Sequence, residues 1–172
     1  MNEYIRTVNY WTVKEAESIK NGTYADEATL LQAAEQILSA HKNGVLATSY
    51  KNQARATPVD YSYHNHAIYI FSEGGKKFAS IQQKVGFTVY NQDGTFGNLK
   101  SVQLSGNFEL VKNFSEEYNQ LAGIRGISLD YLKKMEHPMF LIKIVPEEIT
   151  ILDSELKKAG FDSRGTIHCN FF

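Results

Sequence analysis

The chain has a single cysteine, Cys169, so no internal disulfide can form, and a reducing compartment is expected. It also lacks any apolar run near the roughly 20 residues that span a bilayer, so no membrane-spanning helix is expected in it. Residues 1–11 contain no apolar stretch of signal-peptide length, and with the lone cysteine this gives a cytoplasmic expectation. Charge excess is missing too. A net charge of −1 across 172 residues provides no broad basic surface for nucleic acid or anionic lipid, although one local anion site is compatible with it. Neither a Walker nor a Rossmann glycine fingerprint occurs, nor a Ser-His-Asp order with an elbow motif. Internal repeats, low-complexity tracts and linkers are absent.

What remains is an ordinary composition, 42% apolar and 22% charged, at a length that buries enough surface to fold as one domain over residues 1–172. A helical extension is expected over about 12–40. Thr12 and Glu15 have capping-box spacing, Val13, Ala16 and Ile19 follow at helical intervals, and Asn21-Gly22 is a stop signal. Leu30, Leu31, Ala34, Ile37 and Leu38 form the apolar stripe of a second helix, over about 27–40.

From Gly44 the period becomes two. Strands are expected over 44–50, 54–63, 67–72, 86–92, 99–111, 139–145 and 148–152, which gives an α+β fold with an antiparallel barrel of six or seven strands over about 44–152. Pro58 places its strand at an edge or bulge, and Gly106 marks a bulge or barrel corner. A short helix is expected over 76–83 and a split helical stretch over 115–135, whose Glu116-Glu117 pair suits a first turn. The tail, 153–172, shows no period.

The segment most informative about function is Ser72-Glu73-Gly74-Gly75-Lys76-Lys77. It follows a strand and opens a helix, so backbone N–H groups and two lysines can converge on an anion. Alone, it also describes a glycine turn with two solvated lysines. One hairpin away, Arg55, Thr57 and Val59 alternate on one strand face around Pro58, and an arginine there can add a bidentate phosphate contact. Other groupings are less specific. His64 and His66 flank Asn65 in a turn with no third ligand nearby, so no metal site is assigned. His137, His168 and Cys169 lie near or in the tail, and Tyr61, Tyr63, Tyr69 and Phe71 form an aromatic stripe typical of core or interface.

Taken in order, these segments resemble the FMN-binding split-barrel superfamily of pyridoxamine-phosphate-oxidase-like proteins. The likeness rests on Gly44-Val45-Leu46-Ala47-Thr48, Thr57-Pro58-Val59, Ile68-Tyr69-Ile70-Phe71-Ser72, Lys77 four residues before Ile81, Val102 to Gly106, and Phe140 to Ile144 with Pro146. The resemblance implies one FMN at the interface of a homodimer. Arg55 and Lys77 would meet its phosphate, with Lys76, Gly75 and Ser72 beside them. Thr57, Pro58 and Val59 would edge the ring, Phe71 and Ser72 would line the cleft, and Ser101 and Gln103 would reach it from the second subunit or the opposite wall. It further implies an oxidoreductase taking electrons from NAD(P)H for a small electron-poor acceptor, or else a flavin- or haem-binding module without turnover. No catalytic acid or base is assigned. True pyridoxamine-phosphate oxidases carry a lysine at the position of Asp60, a glutamine at that of Ser101, and an Arg-containing C-terminal motif not found over 157–172. The chain is closer to the nitroimidazole-reductase-like and general flavin-binding branches.

Overall fold

Two helices precede the sheet. The structure, a computed structural model, describes residues 3, 7 and 9–169. Helix α1 spans Tyr10–Asn21 and ends at Gly22, whose left-handed φ of 70° is the conformation a glycine adopts without strain. Its start differs from the capping-box expectation: the helix begins two residues before Thr12, with Asn9 at the cap position and no side-chain cap bond. Val13 and Ile19 are exposed, and Ser18 is the buried residue. Helix α2, Glu27–Ala40, is capped by Asp26, which accepts from the Thr29 N–H at 2.7 Å. It buries Leu30, Ala33, Ala34, Ile37 and Leu38 against the sheet. Burial of a leucine or isoleucine side chain is worth about 1.5–3 kcal/mol, so this face rather than intrinsic propensity holds the helix in place.

The strands are β1 (Asn43–Tyr50), β2 (Gln53–Asp60), β3 (Ser62–His64), β4 (Ala67–Ser72), β5 (Lys84–Tyr90), β6 (Lys100–Val111), β7 (Phe140–Asp153) and β8 (Arg164–His168). All pairings are antiparallel, in the order β2-β1-β5-β6-β7-β4-β3, with β8 added on β7. The sheet curls around α2, so the fold is the expected α+β split barrel. Helices α3 (Glu116–Ile124) and α4 (Leu129–Lys134) cover the outer side of β4 and β7, and α5 (Ser154–Lys158) precedes β8.

Three boundaries differ from the sequence expectation. The strand expected over 54–63 breaks at Tyr61, whose buried hydroxyl donates to the Leu38 carbonyl at 2.7 Å and turns the chain into the core. The two strands expected on either side of Pro146 are one. Ser105 pairs with Glu148 and Gly106 with Pro146, so Glu147 is the extra residue of a bulge and the missing proline N–H falls where the ladder is already interrupted. The tail holds α5 and β8, held partly by the segment that follows α1: Asp162 donates its N–H to the Thr23 carbonyl at 2.7 Å. Pro58 lies as expected on an edge strand.

Two apolar clusters lie on opposite sides of the sheet. One fills the barrel around Leu46, Phe87, Val102, Phe108 and Ile144, and the other packs Tyr118, Leu121 and Leu132 onto Tyr69 and Leu141. Among the described residues, no helix is long and apolar enough to cross a membrane.

Candidate functional site: a basic loop against an edge strand

Strand alternation decides which candidate side chains can meet. Leu46 pairs with Thr57 and Thr48 with Arg55. Leu46 and Thr48 are buried, so Arg55, Thr57 and Val59 share the face that turns toward the barrel, and Val59 packs on its core. Pro58 takes the outer face. Together with Val59, Asp60, Tyr90 and Gln92 it lines a cavity of ≈ 680 Å³ at the open end of the β1–β2 hairpin.

The loop after β4 meets this strand because its far end is anchored to β1. The buried Ser80 hydroxyl donates to the Ser49 carbonyl at 3.2 Å, and Ser49 pairs with Ala54, next to Arg55. The segment Lys76–Ser80 is a 3-10 turn, shorter than the helix expected over 76–83, so it brings no significant macrodipole. Gly74 and Gly75 stand at φ of 130° and 100°, a region that glycine tolerates and side chains avoid. Inside the loop, Ser72 receives the Gly74 N–H at 3.2 Å, and Lys77 Nζ donates to the Gly74 carbonyl at 2.6 Å.

Lys77 and Arg55 are close enough to repel each other. Burial first, and then the Arg55 charge, push the Lys77 amine below its ordinary value. Among the described residues, neither has a carboxylate within 4.0 Å. Beside Arg55 on the same face, the Thr57 hydroxyl oxygen is buried with no hydrogen-bond partner. Two cations without a carboxylate and an orphaned hydroxyl, on one surface beside a glycine loop, are what a bound oxyanion would satisfy. Lys76 is exposed beside them.

Phe71, Ser101 and Gln103 are not brought to this surface. Phe71 occupies the face of β4 opposite Ser72, where its ring packs edge-on at 5.3 Å from Tyr118 in the outer cluster, so the two do not line one cleft. Ser101 pairs with Tyr90 and Gln103 with Thr88, while their neighbours Val102 and Leu104 are buried. Both therefore project from the outside of the barrel. Within one chain they cannot form a wall opposite Arg55 and Thr57.

Asp60 does not stand as an uncompensated anion. Its carboxylate pairs with the guanidinium of Arg125, which also donates to the Tyr61 carbonyl at 3.2 Å. Arg125, at the end of α3, was not among the sequence candidates. The available signal was an arginine bracketed by Gly123 and Gly126 at a helix end.

The other candidate groups have local partners. Asn65 and His66 have φ of 46° and 57°, the values of a tight hairpin turn between β3 and β4. His64 meets Gln120 at 3.1 Å, and His66 meets Glu35 at 3.0 Å. Burial first, followed by Glu27 and Glu148, pushes the Cys169 thiol up to about 11, which keeps it protonated and a poor nucleophile at neutral pH.

Comparison with known proteins accords with this architecture. A family model described as pyridoxamine 5'-phosphate oxidase matches residues 31–151. No curated protein matches the sequence. Among solved structures, the FAD-binding protein from Mycobacterium smegmatis superposes with a TM-score of 0.55 at 19% identity, over 70% of this chain and 90% of that one. General Stress Protein 26 from Bacillus anthracis gives 0.57 at 16%, over 81% and 98%. The haem storage protein HutZ from Vibrio cholerae gives 0.52 at 14%, over 70% and 89%. At such identities the likeness is one of fold.

Proposed function

Because the chain belongs to the pyridoxamine 5'-phosphate oxidase family, whose model spans residues 31–151 of it, we propose that it is a cytoplasmic, homodimeric FMN-binding flavoprotein that passes electrons from NAD(P)H to a small electron-poor acceptor. The observation that carries this reading is the Arg55–Lys77 pair, two cations on one surface with no carboxylate among the described residues to balance them, and an unpaired Thr57 hydroxyl beside them. A phosphate monoester carries about two negative charges at neutral pH, three strong acceptor oxygens, and a shape suited to a guanidinium fork. FMN offers that group at its terminus. When bound, it would supply hydride and electron transfer, with the protein contributing binding, orientation and electrostatics.

In this reading Arg55 and Lys77 hold the phosphate, Gly75 and Ser72 shape the loop around it, and the Thr57 hydroxyl donates to the cofactor. Thr57, Pro58 and Val59 set the edge against which the ring rests. Ser101 and Gln103 project from the outside of the barrel, and a twofold partner would carry them to the other chain's cofactor. The edge strand β2 supports such a partner. Its residues Ala54, Ala56 and Pro58 are exposed, and a long edge with few charges is normally covered. The dimer interface is expected to exceed roughly 2,000 Å² in total, and sedimentation showing a stable monomer at micromolar concentration would refute it.

The test is reconstitution. FMN, FAD and hemin are titrated separately into ligand-free protein, and the FMN complex is then mixed with NADH or NADPH under anaerobic conditions. Stoichiometric FMN binding with bleaching of the flavin band supports the oxidoreductase. FMN binding without bleaching leaves a carrier or sensor, and hemin binding in place of FMN overturns the proposal in favour of a haem module.

A further inference from the structure

The segments flanking the family match build a second cavity. Helix α1 lies against the outer face of β6, β7 and β8 around a space of ≈ 780 Å³, whose floor includes Gln103, Glu148, Thr150 and, beside it on β8, Thr166. That size lies within the range of small-molecule sites. It is also on the side of the sheet opposite Arg55 and Lys77, so within one chain it is separate from the flavin surface.

The wall is held by specific contacts. The Tyr24 hydroxyl donates to Glu15 at 2.5 Å and receives the Thr166 N–H at 2.7 Å, tying α1 to β8. The Arg164 guanidinium lies 4.1 Å from the centre of the Trp11 ring. Cation–π stacking fixes the guanidinium plane while leaving its N–H edges free to donate.

The acids lining the space accept from neutral donors, Glu15 from the Tyr24 hydroxyl and Asp162 from that of Ser18, and Glu148 faces His168 at 3.6 Å. Of the bases, Lys14 pairs with Glu17 at 2.8 Å. Among the described residues, Arg164 and Lys157 have no carboxylate within 4.0 Å. Hydroxyls of Thr150 and Thr166 supply further polar contacts.

We propose that this cavity is a second ligand site, for a small molecule that joins a planar aromatic ring to a carboxylate. The carboxylate is received by the free edge of Arg164 with Lys157 beside it. The ring lies along the indole–guanidinium stack, over the threonine floor. Bidentate pairing of a planar carboxylate with arginine accounts for the choice of anion, and Trp11 for the choice of ring.

Trp11 is the only tryptophan of the chain, so its fluorescence reports on this wall alone. The probe is 4-nitrobenzoate, titrated into the FMN-loaded protein, with uncharged 4-nitrobenzyl alcohol as the control. Saturable quenching by the acid is expected, with the alcohol at least tenfold weaker and no release of FMN. Arg164→Gln should raise the dissociation constant at least tenfold and Lys157→Gln severalfold, whereas Lys77→Ala should leave it unchanged. Linear quenching without saturation, or equal quenching by acid and alcohol, would overturn the proposal. So would quenching that depends on Lys77 and not on Arg164, because it would place the probe at the flavin surface. If Arg164→Gln does not fold, Lys157→Gln and the acid–alcohol comparison still decide.

Discussion

Lys77 sits in the field of the Arg55 guanidinium, and its amine is pushed down by burial and by that charge. A residue pair kept for stability would not be arranged this way. The lowered amine carries a penalty that is present in full below its folded pKa, and that is relieved as pH climbs toward the unfolded value of 10.5. A bound phosphate removes the same penalty at neutral pH.

The first prediction follows from this sign. In the FMN-free protein, Lys77→Ala and Arg55→Ala should leave the melting temperature unchanged or raise it by about 1–3 °C, because each removes a repulsion. Each should weaken FMN binding roughly 10- to 100-fold, the worth of one charge-assisted contact. Thermal melts with and without FMN check both halves. A variant that loses stability without ligand and keeps its FMN affinity would make the pair structural.

The second prediction concerns the barrel corner. A Cβ at Gly106 would stand 2.1 Å from the Val145 carbonyl oxygen and 3.0 Å from Pro146 Cα, both backbone atoms that cannot swing aside. Gly106→Ala should therefore cost about 3 kcal/mol or more, at the severe end of single substitutions. Gly165→Ala meets side-chain carbons of Leu30 instead, the nearest at 2.4 Å, and a side chain can partly yield. Its cost should be smaller, and urea denaturation of the two variants measures the difference.

Much of the barrel was legible in the sequence because period-two alternation reports burial directly. Alternation puts Arg55, Thr57 and Val59 on one face, and the structure gives them one. The failures share a physical cause, which is that long-range partners override local pattern. Tyr61 continues the alternation of its strand, yet its hydroxyl finds Leu38 across the barrel and the strand stops. Residues 164–168 have no strong period because β8 is defined by pairing with β7 and by the cover of α1. Phe71 and Ser72 are adjacent in sequence, and adjacency in a strand means opposite faces. Arg125 was invisible because its partner, Asp60, is distant in sequence.

The third prediction is an acid limit on stability. Burial raises the Glu117 carboxyl, but the Tyr69 hydroxyl at 2.6 Å and the Lys143 amine at 2.9 Å outweigh it, and the group ends below its ordinary 4.5. A depressed carboxylate contributes stability above the unfolded pKa and loses it as pH falls through the folded value. Glu117→Gln should therefore be less stable than the parent at pH 7, with the gap narrowing steadily below about pH 4.5. A gap independent of pH would mean that packing, and not charge, is what Glu117 contributes.

The last prediction concerns substrate choice and turns on Asp60 and Arg125. From sequence alone, Asp60 looks like a bare anion that repels a phosphorylated substrate. In the structure its charge is largely spent on Arg125, so the local field is close to neutral rather than repulsive. The consequence for vitamin B6 phosphates keeps its direction through a different cause, because Arg125, the arginine nearest Asp60, already has a carboxylate. Transition-state binding cannot draw on a cation that is internally paired without first breaking that pair. The FMN-loaded protein should then oxidise pyridoxine 5'-phosphate negligibly, well below roughly 1 per second. Asp60→Asn should release Arg125 and tighten binding of pyridoxine 5'-phosphate about tenfold, while FMN content stays constant, since neither residue belongs to the Arg55–Lys77 surface. Asp60→Asn combined with Arg125→Gln should cancel the gain. Equal affinity in the parent and Asp60→Asn would show that the ion pair does not govern access to this end of the hairpin. Efficient turnover by the parent would show that another cation receives the phosphate.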